Sequence, residues 1–100
     1  MATVRYTRGG DTFEWDSEKA EENLRRHGIP FELACEVFSD PFLFFTDASV
    51  PEEARDAAIG YTTTNQLLFV VHVEVTDEGI RIISARRATS PERRQYEEER

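Results

Sequence analysis

The residues from 81 to 94 gather positive charge in a chain that is acidic overall. The chain has 100 residues and a formal net charge of −8 at pH 7. This segment nevertheless contains one acidic residue, Glu92, and five arginines: Arg81, Arg86, Arg87, Arg93 and Arg94. A guanidinium group offers paired N–H donors that suit phosphate oxygens, and it stays charged at any working pH. Beside a helix N-terminus, which itself attracts anions, such a cluster could bind phosphate. The alternative, which composition alone favours, is that the later arginines only pair with neighbouring acids such as Glu97.

A second group of side chains that could do chemistry lies in residues 19–27. Lys19, Asn23 and His27 recur every four residues, so they lie along one face of a helix. A His or Lys beside a phosphate can serve as acid or base in cleaving it. The structural alternative is a His27 that only bonds the last carbonyl groups of the helix. Tyr96 leaves a similar choice, because its hydroxyl could lie beside Arg93 or simply anchor the terminal helix.

The composition excludes several classes of protein. The two histidines and the single cysteine show no metal-site spacing, and there is no glycine-rich phosphate loop or serine-nucleophile motif. No apolar run is long enough to span a membrane, and the N-terminus lacks a signal-peptide pattern. Cys35 cannot form an internal disulfide and is typical of a small core residue, which fits a reducing cytoplasm. The acidic residues of the segment 11–56 would suit a basic protein partner.

The elements that must position these side chains follow from local patterns. The first part of the chain predicts a hairpin and two helices: strands 4–7 and 12–15 around Gly9-Gly10, a helix from Asp16 or Ser17 to His27-Gly28, and a helix from Pro30 to about Ser39. A period of two then predicts four strands at 42–46, 57–63, 67–75 and 80–86, with turns at 63–66 and 76–79 and an acidic loop at 48–54.

The final helix has two candidate starts. Thr89 has capping-box spacing to Glu92, whereas Ser90 could cap a helix whose first residue is Pro91; both remain open. Together the elements predict one α+β domain over residues 1–100. Its sheet is mostly antiparallel with about four strands, and it carries two N-terminal helices and one C-terminal helix.

Alternation along the strands predicts which side chains share a face. In the last strand, Ile82, Ser84 and Arg86 would lie on one face and Arg81 on the other. In the strand before it, positions 67 to 75 alternate between a wholly apolar face and a mixed one that carries His72, and a strand histidine is more often structural. In the first helix, Ala20 and Leu24 would point toward the core.

Two long segments carry a pattern that is more specific together than either is alone: FEWDSEKAEENLRRHGIPFELACEVFSDP and IRIISARRATSPERRQYEE. The positions that carry it are Phe13, Trp15, Asp16, Lys19, Asn23, His27, Gly28, Phe31, Ala34, Phe38, Asp40, Asp47, Glu53, Arg55, Gly60, Arg81, Ile83, Ser84, Ala85, Arg86, Ala88, Thr89, Glu92, Arg93 and Tyr96. This combined pattern resembles the BrnT family of bacterial toxins over nearly the whole chain from Phe13 onward.

The resemblance implies a fold, a partner and an activity. The fold would be that of RelE-like ribonucleases, and the protein would be the toxin of a type II toxin–antitoxin pair. Its partner would be a basic, DNA-binding, BrnA-like antitoxin that blocks the toxin and represses their shared operon, so operator DNA is reached only through the antitoxin. It also implies a toxin–antitoxin heterotetramer in the cytoplasm and an RNA substrate. No cofactor or metal is expected.

The resemblance further implies metal-independent RNA cleavage through the substrate's own 2′-hydroxyl. The catalytic candidates are Arg86 and Arg93 for the phosphate, and His27, Lys19 or Tyr96 for proton transfer. The substrate-binding candidates are Arg81, Thr89, Asn23 and Arg55; Thr89 and Asn23 would position backbone or substrate, and Arg55 could instead only pair with Glu53. Trp15, Phe13 and Phe31 would be core. The other function that fits is a non-catalytic module that binds the antitoxin and supports repression.

Overall fold

A mixed sheet of six strands organises the chain in the computed structural model, which describes residues 2–75 and 79–98. The elements in chain order are β1 (Thr3–Arg8), β2 (Asp11–Asp16), α1 (Ser17–His27), α2 (Phe31–Ala34), a 3-10 helix (Cys35–Ser39), β3 (Phe44–Asp47), β4 (Asp56–Tyr61), β5 (Leu67–Val75), β6 (Gly79–Arg87) and α3 (Ser90–Glu98). The strands lie in the spatial order β1-β2-β6-β5-β4-β3. The later four strands begin and end within two residues of the predicted bounds.

The predicted N-terminal hairpin is confirmed, and it joins the main sheet. β1 and β2 pair antiparallel around Gly9-Gly10, where both glycines have positive φ. β2 then pairs in parallel with β6, Phe13 beside Ile80 and Glu14 beside Arg81, whereas the other neighbours pair antiparallel. The prediction of about four antiparallel strands is therefore wrong. Its cause is the β2–β6 pairing of distant residues, which local periodicity does not reveal.

α1 begins and ends where its capping residues predict. Asp16, rather than Ser17, is the N-cap, and its carboxylate accepts a hydrogen bond of 2.8 Å from the backbone N–H of Glu18. Gly28 ends the helix in the left-handed conformation, with φ 71, and its N–H donates to the carbonyl of Leu24.

The second N-terminal helix is shorter than predicted. α2 has only four residues, and a 3-10 helix continues to Ser39. The backbone N–H of Asp40 donates to the carbonyl of Val37, which is the tighter 3-10 spacing, and Pro41 cannot continue a helix. With this short helix and six strands, the structure does not match the RelE-like arrangement in its predicted details. The α+β class is confirmed. The predicted turn at 76–79 lies, apart from Gly79, outside the described residues.

Two apolar clusters lie on opposite faces of the sheet. The larger packs the sheet against α1, α2 and the 3-10 helix, and its buried members include Phe13, Trp15, Ile29, Phe31, Ala34, Cys35, Val37, Leu68, Val70, Ile82 and Ala85. The smaller consists of Ile59, Leu67 and Tyr96 and lies under α3. The predicted core positions of Phe13, Trp15, Phe31 and Cys35 are thus confirmed.

A β-bulge at Ile83 interrupts the pairing of β5 with β6. Val71 pairs with Ser84 and His72 pairs with Ile82, so Ile83 has no partner in β5. The extra residue inverts the alternation of side chains beyond it.

The bulge overturns the predicted faces of the last strand. Ile82 and Ala85 both lie in the larger cluster. Arg86 lies on the opposite face, over the ring of Phe69, and Arg81 is on that same face because it pairs with Val73. The prediction that Ile82 and Arg86 share a face, away from Arg81, is therefore wrong.

The faces of α1 also differ from the prediction. Ala20 packs against the larger cluster as expected, but Leu24 is 49% exposed. Asn23 lies on the core side instead and is only 5% exposed. A polar residue displaces an apolar one here because the edge of β6 requires hydrogen bonds.

Candidate active site

The candidate site begins where β2 and β6 separate. After the Glu14–Arg81 pair, β2 ends at Asp16 and the chain turns into α1, which leaves the edge of β6 without a strand partner. Asn23 supplies the missing pairing. Its side-chain oxygen accepts from the N–H of Ala85 at 3.0 Å, and its amide nitrogen donates to the carbonyls of Ala85 and Ile29, both at 2.9 Å. The sequence predicted that Asn23 would position either backbone or substrate. In the structure its side chain holds the backbone of Ala85 and Ile29.

A groove runs between α1 and the edge of β6, and we call it the α1–β6 groove. It consists of two hollows of about 370 Å³ and about 210 Å³ that share Lys19 and Ile83 in their walls. The larger hollow is also lined by Arg55 and Arg81, and the smaller one by His27. With Asn23, which also lines the smaller hollow, five of the predicted site residues therefore come together from α1, the loop before β4 and β6.

The groove is less acidic than the rest of the molecule. The cationic residues that line it are Lys19, Arg26, Arg55 and Arg81, and the carboxylates are Asp16, Glu22 and Glu53. This balance contrasts with the net charge of −8 of the whole chain. Because screening limits exposed charges to a range of roughly 8–10 Å, a local cationic site can persist within an acidic protein.

Besides the exposed pair of Arg26 with Glu22 at 3.6 Å, two of these cations have carboxylate partners at shorter distance. Arg81 donates to Glu14 through Nε at 2.9 Å and Nη2 at 2.6 Å; the Arg81 side chain is 54% exposed and that of Glu14 only 9%. Arg55 donates to Glu53 at 2.8 Å, which is the pairing that the sequence left open. Both arginines retain further N–H donors for a ligand, since a guanidinium group has five.

Lys19 and His27 have no such partner. Within residues 2–75 and 79–98, neither side chain makes a hydrogen bond or an ion pair. The alternative in which His27 caps the helix is not what the structure adopts, because the last turn of α1 is closed by the backbone of Gly28. Both groups are therefore available to a ligand or to a proton transfer.

The other predicted site residues form a separate cluster around α3. Arg86 is held between Glu92 and Phe69: its two Nη atoms donate to the Glu92 carboxylate at 2.8 Å each, and its Cζ lies 4.3 Å from the ring centroid. These hydrogen bonds raise the pKa of Arg86 and hold the pKa of Glu92 below its ordinary value. The same Glu92 accepts from the N–H of Thr89 at 2.9 Å, so Thr89 and Glu92 form the capping box.

Arg93 and Tyr96 complete this cluster, and each contacts Tyr61. Arg93 donates to the hydroxyl of Tyr61 at 2.9 Å and is exposed. Tyr96 is 2% exposed, and its hydroxyl donates to Asp40 at 2.7 Å. Asp40 also accepts from the backbone N–H of Tyr61, so Tyr96 anchors α3 to the body of the protein.

The predicted residues thus fall into two groups rather than one. Arg81 and Arg86 are roughly 17 Å apart along β6, at about 3.3 Å per residue. The groove holds Lys19, Asn23, His27, Arg55 and Arg81, and the α3 cluster holds Arg86, Thr89, Arg93 and Tyr96. Sequence reasoning missed Glu14, which orients Arg81. The strand alternation of β2 carries no signal for it, because its partner lies in a distant strand.

The comparisons with known proteins define the class. Residues 15–92 match a family model described as a ribonuclease toxin, BrnT, of a type II toxin–antitoxin system. The protein is accordingly a toxin of the type II toxin–antitoxin class with an antitoxin as its partner. The chain belongs to the BrnT family, as its sequence pattern predicted. A comparison with curated proteins gives no match.

Two further features of the described ranges are plain. None of their helices is long and apolar enough to cross a membrane. Their His, Cys, Asp and Glu side chains form no group of three or more that could hold a metal ion.

Proposed function

We propose that the protein is a metal-independent endoribonuclease whose substrate phosphate binds in the α1–β6 groove. The observation that carries the proposal is the convergence of Lys19, Arg55 and Arg81 on one open hollow, with His27 in the adjoining one. The α3 cluster is the less suitable site, since Arg86 is only 35% exposed between Glu92 and Phe69, whereas the paired Arg81 of the groove is 54% exposed.

The proposed reaction is an internal transfer of the phosphate. The 2′-oxygen of the RNA attacks the phosphorus, and its proton passes to the imidazole of His27. Arg55 and Arg81 stabilise the dianionic transition state with their free N–H donors. The bond to the 5′-oxygen breaks, and Lys19 donates a proton to that leaving oxygen. The products are a 2′,3′-cyclic phosphate and a 5′-hydroxyl end.

The assembly we propose is a heterotetramer of two toxins and two copies of a BrnA-like basic antitoxin in the cytoplasm. The antitoxin would carry the DNA contacts, and toxin–RNA binding would be blocked in the complex. The net charge of −8 supports this assignment, because it suits a basic protein partner better than operator DNA.

A short labelled RNA tests the activity. We expect cleavage in the presence of EDTA, products that carry a 2′,3′-cyclic phosphate, and no cleavage of the same RNA with a 2′-deoxy group at the scissile nucleotide. Lys19→Met should lower the rate by roughly 10²-fold, in the range of a lost proton donor. Arg25→Ala, an exposed charge change on the same helix, is the matched control and should leave the rate unchanged.

The ion pairs of two predicted site arginines favour a second candidate function. Arg81 and Arg86 are each engaged by a carboxylate, and this favours a non-catalytic module that binds the antitoxin. RNA that stays intact at high protein concentration would reject the ribonuclease and favour that reading. Equal cleavage by the wild type and by Lys19→Met would instead reject the role of Lys19 in the reaction.

A further inference from the structure

A third cavity lies apart from the α1–β6 groove. It has a volume of about 170 Å³ and is lined by Phe38, Phe45, Asp56, His72, Glu74 and Ile80. None of these residues lines either hollow of the groove. The proposed ribonuclease reaction makes no use of them.

The buried polar group of this cavity is His72. The residue is 4% exposed, and the rings of Phe38 and Phe45 pack on it with centroid distances of 5.1 and 5.7 Å. Its Nδ1 lies 3.2 Å from the carbonyl oxygen of Val70, which places the proton on Nδ1. Burial lowers the pKa of His72, so the ring is neutral at pH 7. Its Nε2 is therefore an acceptor, and it has no partner among the described residues.

Two carboxylates share the wall of the cavity with this acceptor. Asp56 is the cross-strand partner of His72, and Asp47 is in turn the cross-strand partner of Asp56. Like charges opposite each other destabilise a sheet. Asp56 and Glu74 are exposed and make no hydrogen bond or ion pair within the described ranges. Every polar group of the cavity thus accepts hydrogen bonds, and none carries positive charge.

An exposed aromatic side chain lines the cavity, because the ring of Phe45 is 54% exposed. Phe45 belongs to β3, the last strand of the sheet order, whose outer edge pairs with no described strand. An open edge strand offers backbone hydrogen bonds to an added chain segment, and exposed phenyl rings attract a desolvated cation.

We propose that the β3 edge and this cavity form the docking surface for a basic segment of a protein partner, with an Arg or Lys side chain entering beside Phe45, Asp56 and Glu74. The occupant is cationic because the polar groups that the lining offers are all acceptors and two aromatic rings lie beside them. RNA is a poor occupant, since unpaired carboxylates would face its phosphates. A protein segment accounts for the open edge strand as well as for the charge. Identifying this partner with the antitoxin rests on the proposed function, whereas the surface itself does not.

A peptide titration followed by amide NMR tests the surface without any RNA. The probe is an acetylated and amidated Thr-Val-Arg-Val-Thr peptide, and its control carries citrulline, which keeps the shape of arginine but not its charge. We expect the arginine peptide to shift the amides of Phe45, Asp56 and Glu74 and the citrulline peptide to leave them in place. The double variant Asp56→Asn, Glu74→Gln should weaken binding by roughly tenfold or more. The matched variant Glu21→Gln, Glu97→Gln removes two exposed charges elsewhere and should bind as the wild type does.

Several outcomes would overturn the proposal. Equal shifts with citrulline, shifts confined to other residues, or unchanged affinity in the Asp56, Glu74 double variant each contradict it. So do concentration-dependent shifts of these amides without peptide, which indicate a second copy of the chain, and shifts caused by an RNA oligonucleotide. Phe45→Ala provides a second loss-of-contact variant if the double variant does not fold. Because cleavage of RNA is not measured, a failure here is distinct from a failure of the ribonuclease proposal.

Discussion

Asn23→Ala should destabilise the protein severely, because Asn23 holds buried backbone in addition to lining the smaller hollow of the groove. The side chain makes three hydrogen bonds to buried backbone groups, two at Ala85 and one at Ile29. Each hydrogen bond contributes about 0.5–1.5 kcal/mol net, and a buried group left unpaired loses more. Three of them give an expected loss of about 3 kcal/mol in the free energy of unfolding. At a slope of about 1.5 kcal/mol/M, the urea midpoint should fall by roughly 2 M.

The neighbouring residue provides the matched control. Leu24 is 49% exposed, so Leu24→Ala should change the free energy of unfolding by no more than about 0.5 kcal/mol. Asn23→Asp should lose at least as much as Asn23→Ala, because a carboxylate keeps the acceptor but brings negative charge against two carbonyl oxygens. Urea unfolding followed by tryptophan fluorescence measures all three. A loss below about 1 kcal/mol for Asn23→Ala, or a larger loss for Leu24→Ala, would refute the assignment of Asn23 as the surrogate strand partner of β6.

Three further predictions concern single groups. Burial raises the pKa of Cys35 to about 12, so its thiol should react with a disulfide reagent far more slowly in the folded protein than in urea, and equal rates would place it at the surface. Glu92→Gln weakens both the capping box and the bidentate pair with Arg86, so it should lower the free energy of unfolding, measured in urea, by about 1–2 kcal/mol. An unchanged free energy of unfolding would show that these hydrogen bonds do not stabilise the fold. Burial lowers the pKa of His72 from its ordinary 6.5, so the unfolded chain binds a proton more readily than the folded one. The resulting stability is present above pH 6.5 and is lost as the pH falls from there toward the lowered value, and His72→Gln should flatten that part of the stability–pH curve.

The parts of the fold that depend on neighbouring residues were predictable. Capping chemistry predicted the start of α1 at Asp16 or Ser17 and its end at Gly28, and the glycine pair at 9 and 10 predicted the hairpin. The α+β class follows from the change of period after Pro41. These signals act over a few residues, so a single sequence contains them in full.

The parts that depend on tertiary contacts were not predictable. The bulge at Ile83 leaves no mark in the hydrophobic pattern, yet it decides which arginines share a face. Asn23 looks like a solvent-facing residue of a helix until the edge of β6 is found beside it. The parallel pairing of Phe13 with Ile80 joins residues that lie far apart in the chain.

The roles of the predicted site residues stay predictions, and the structure shows only how these side chains are grouped. Lys19 and His27 lie along one helix face, as their spacing indicates, and they share the groove with Arg81 and Arg55. The convergence expected around Arg86 instead became a separate cluster, because Glu92 has the spacing both to cap α3 and to bind Arg86. A competing intramolecular partner of this kind is visible only once the register of the elements is known.

The most direct test of the proposed site compares two pairs of substitutions in one assay. Single-turnover cleavage of a labelled RNA is measured for Lys19→Met, His27→Gln and for Arg86→Met, Arg93→Met, each corrected to the folded fraction found in urea titrations. We predict a loss of roughly 10²-fold or more for the first pair, and a change of at most about threefold for the second. The reverse order, with cleavage intact in the first pair and lost in the second, would move the phosphate out of the α1–β6 groove and contradict the proposed site.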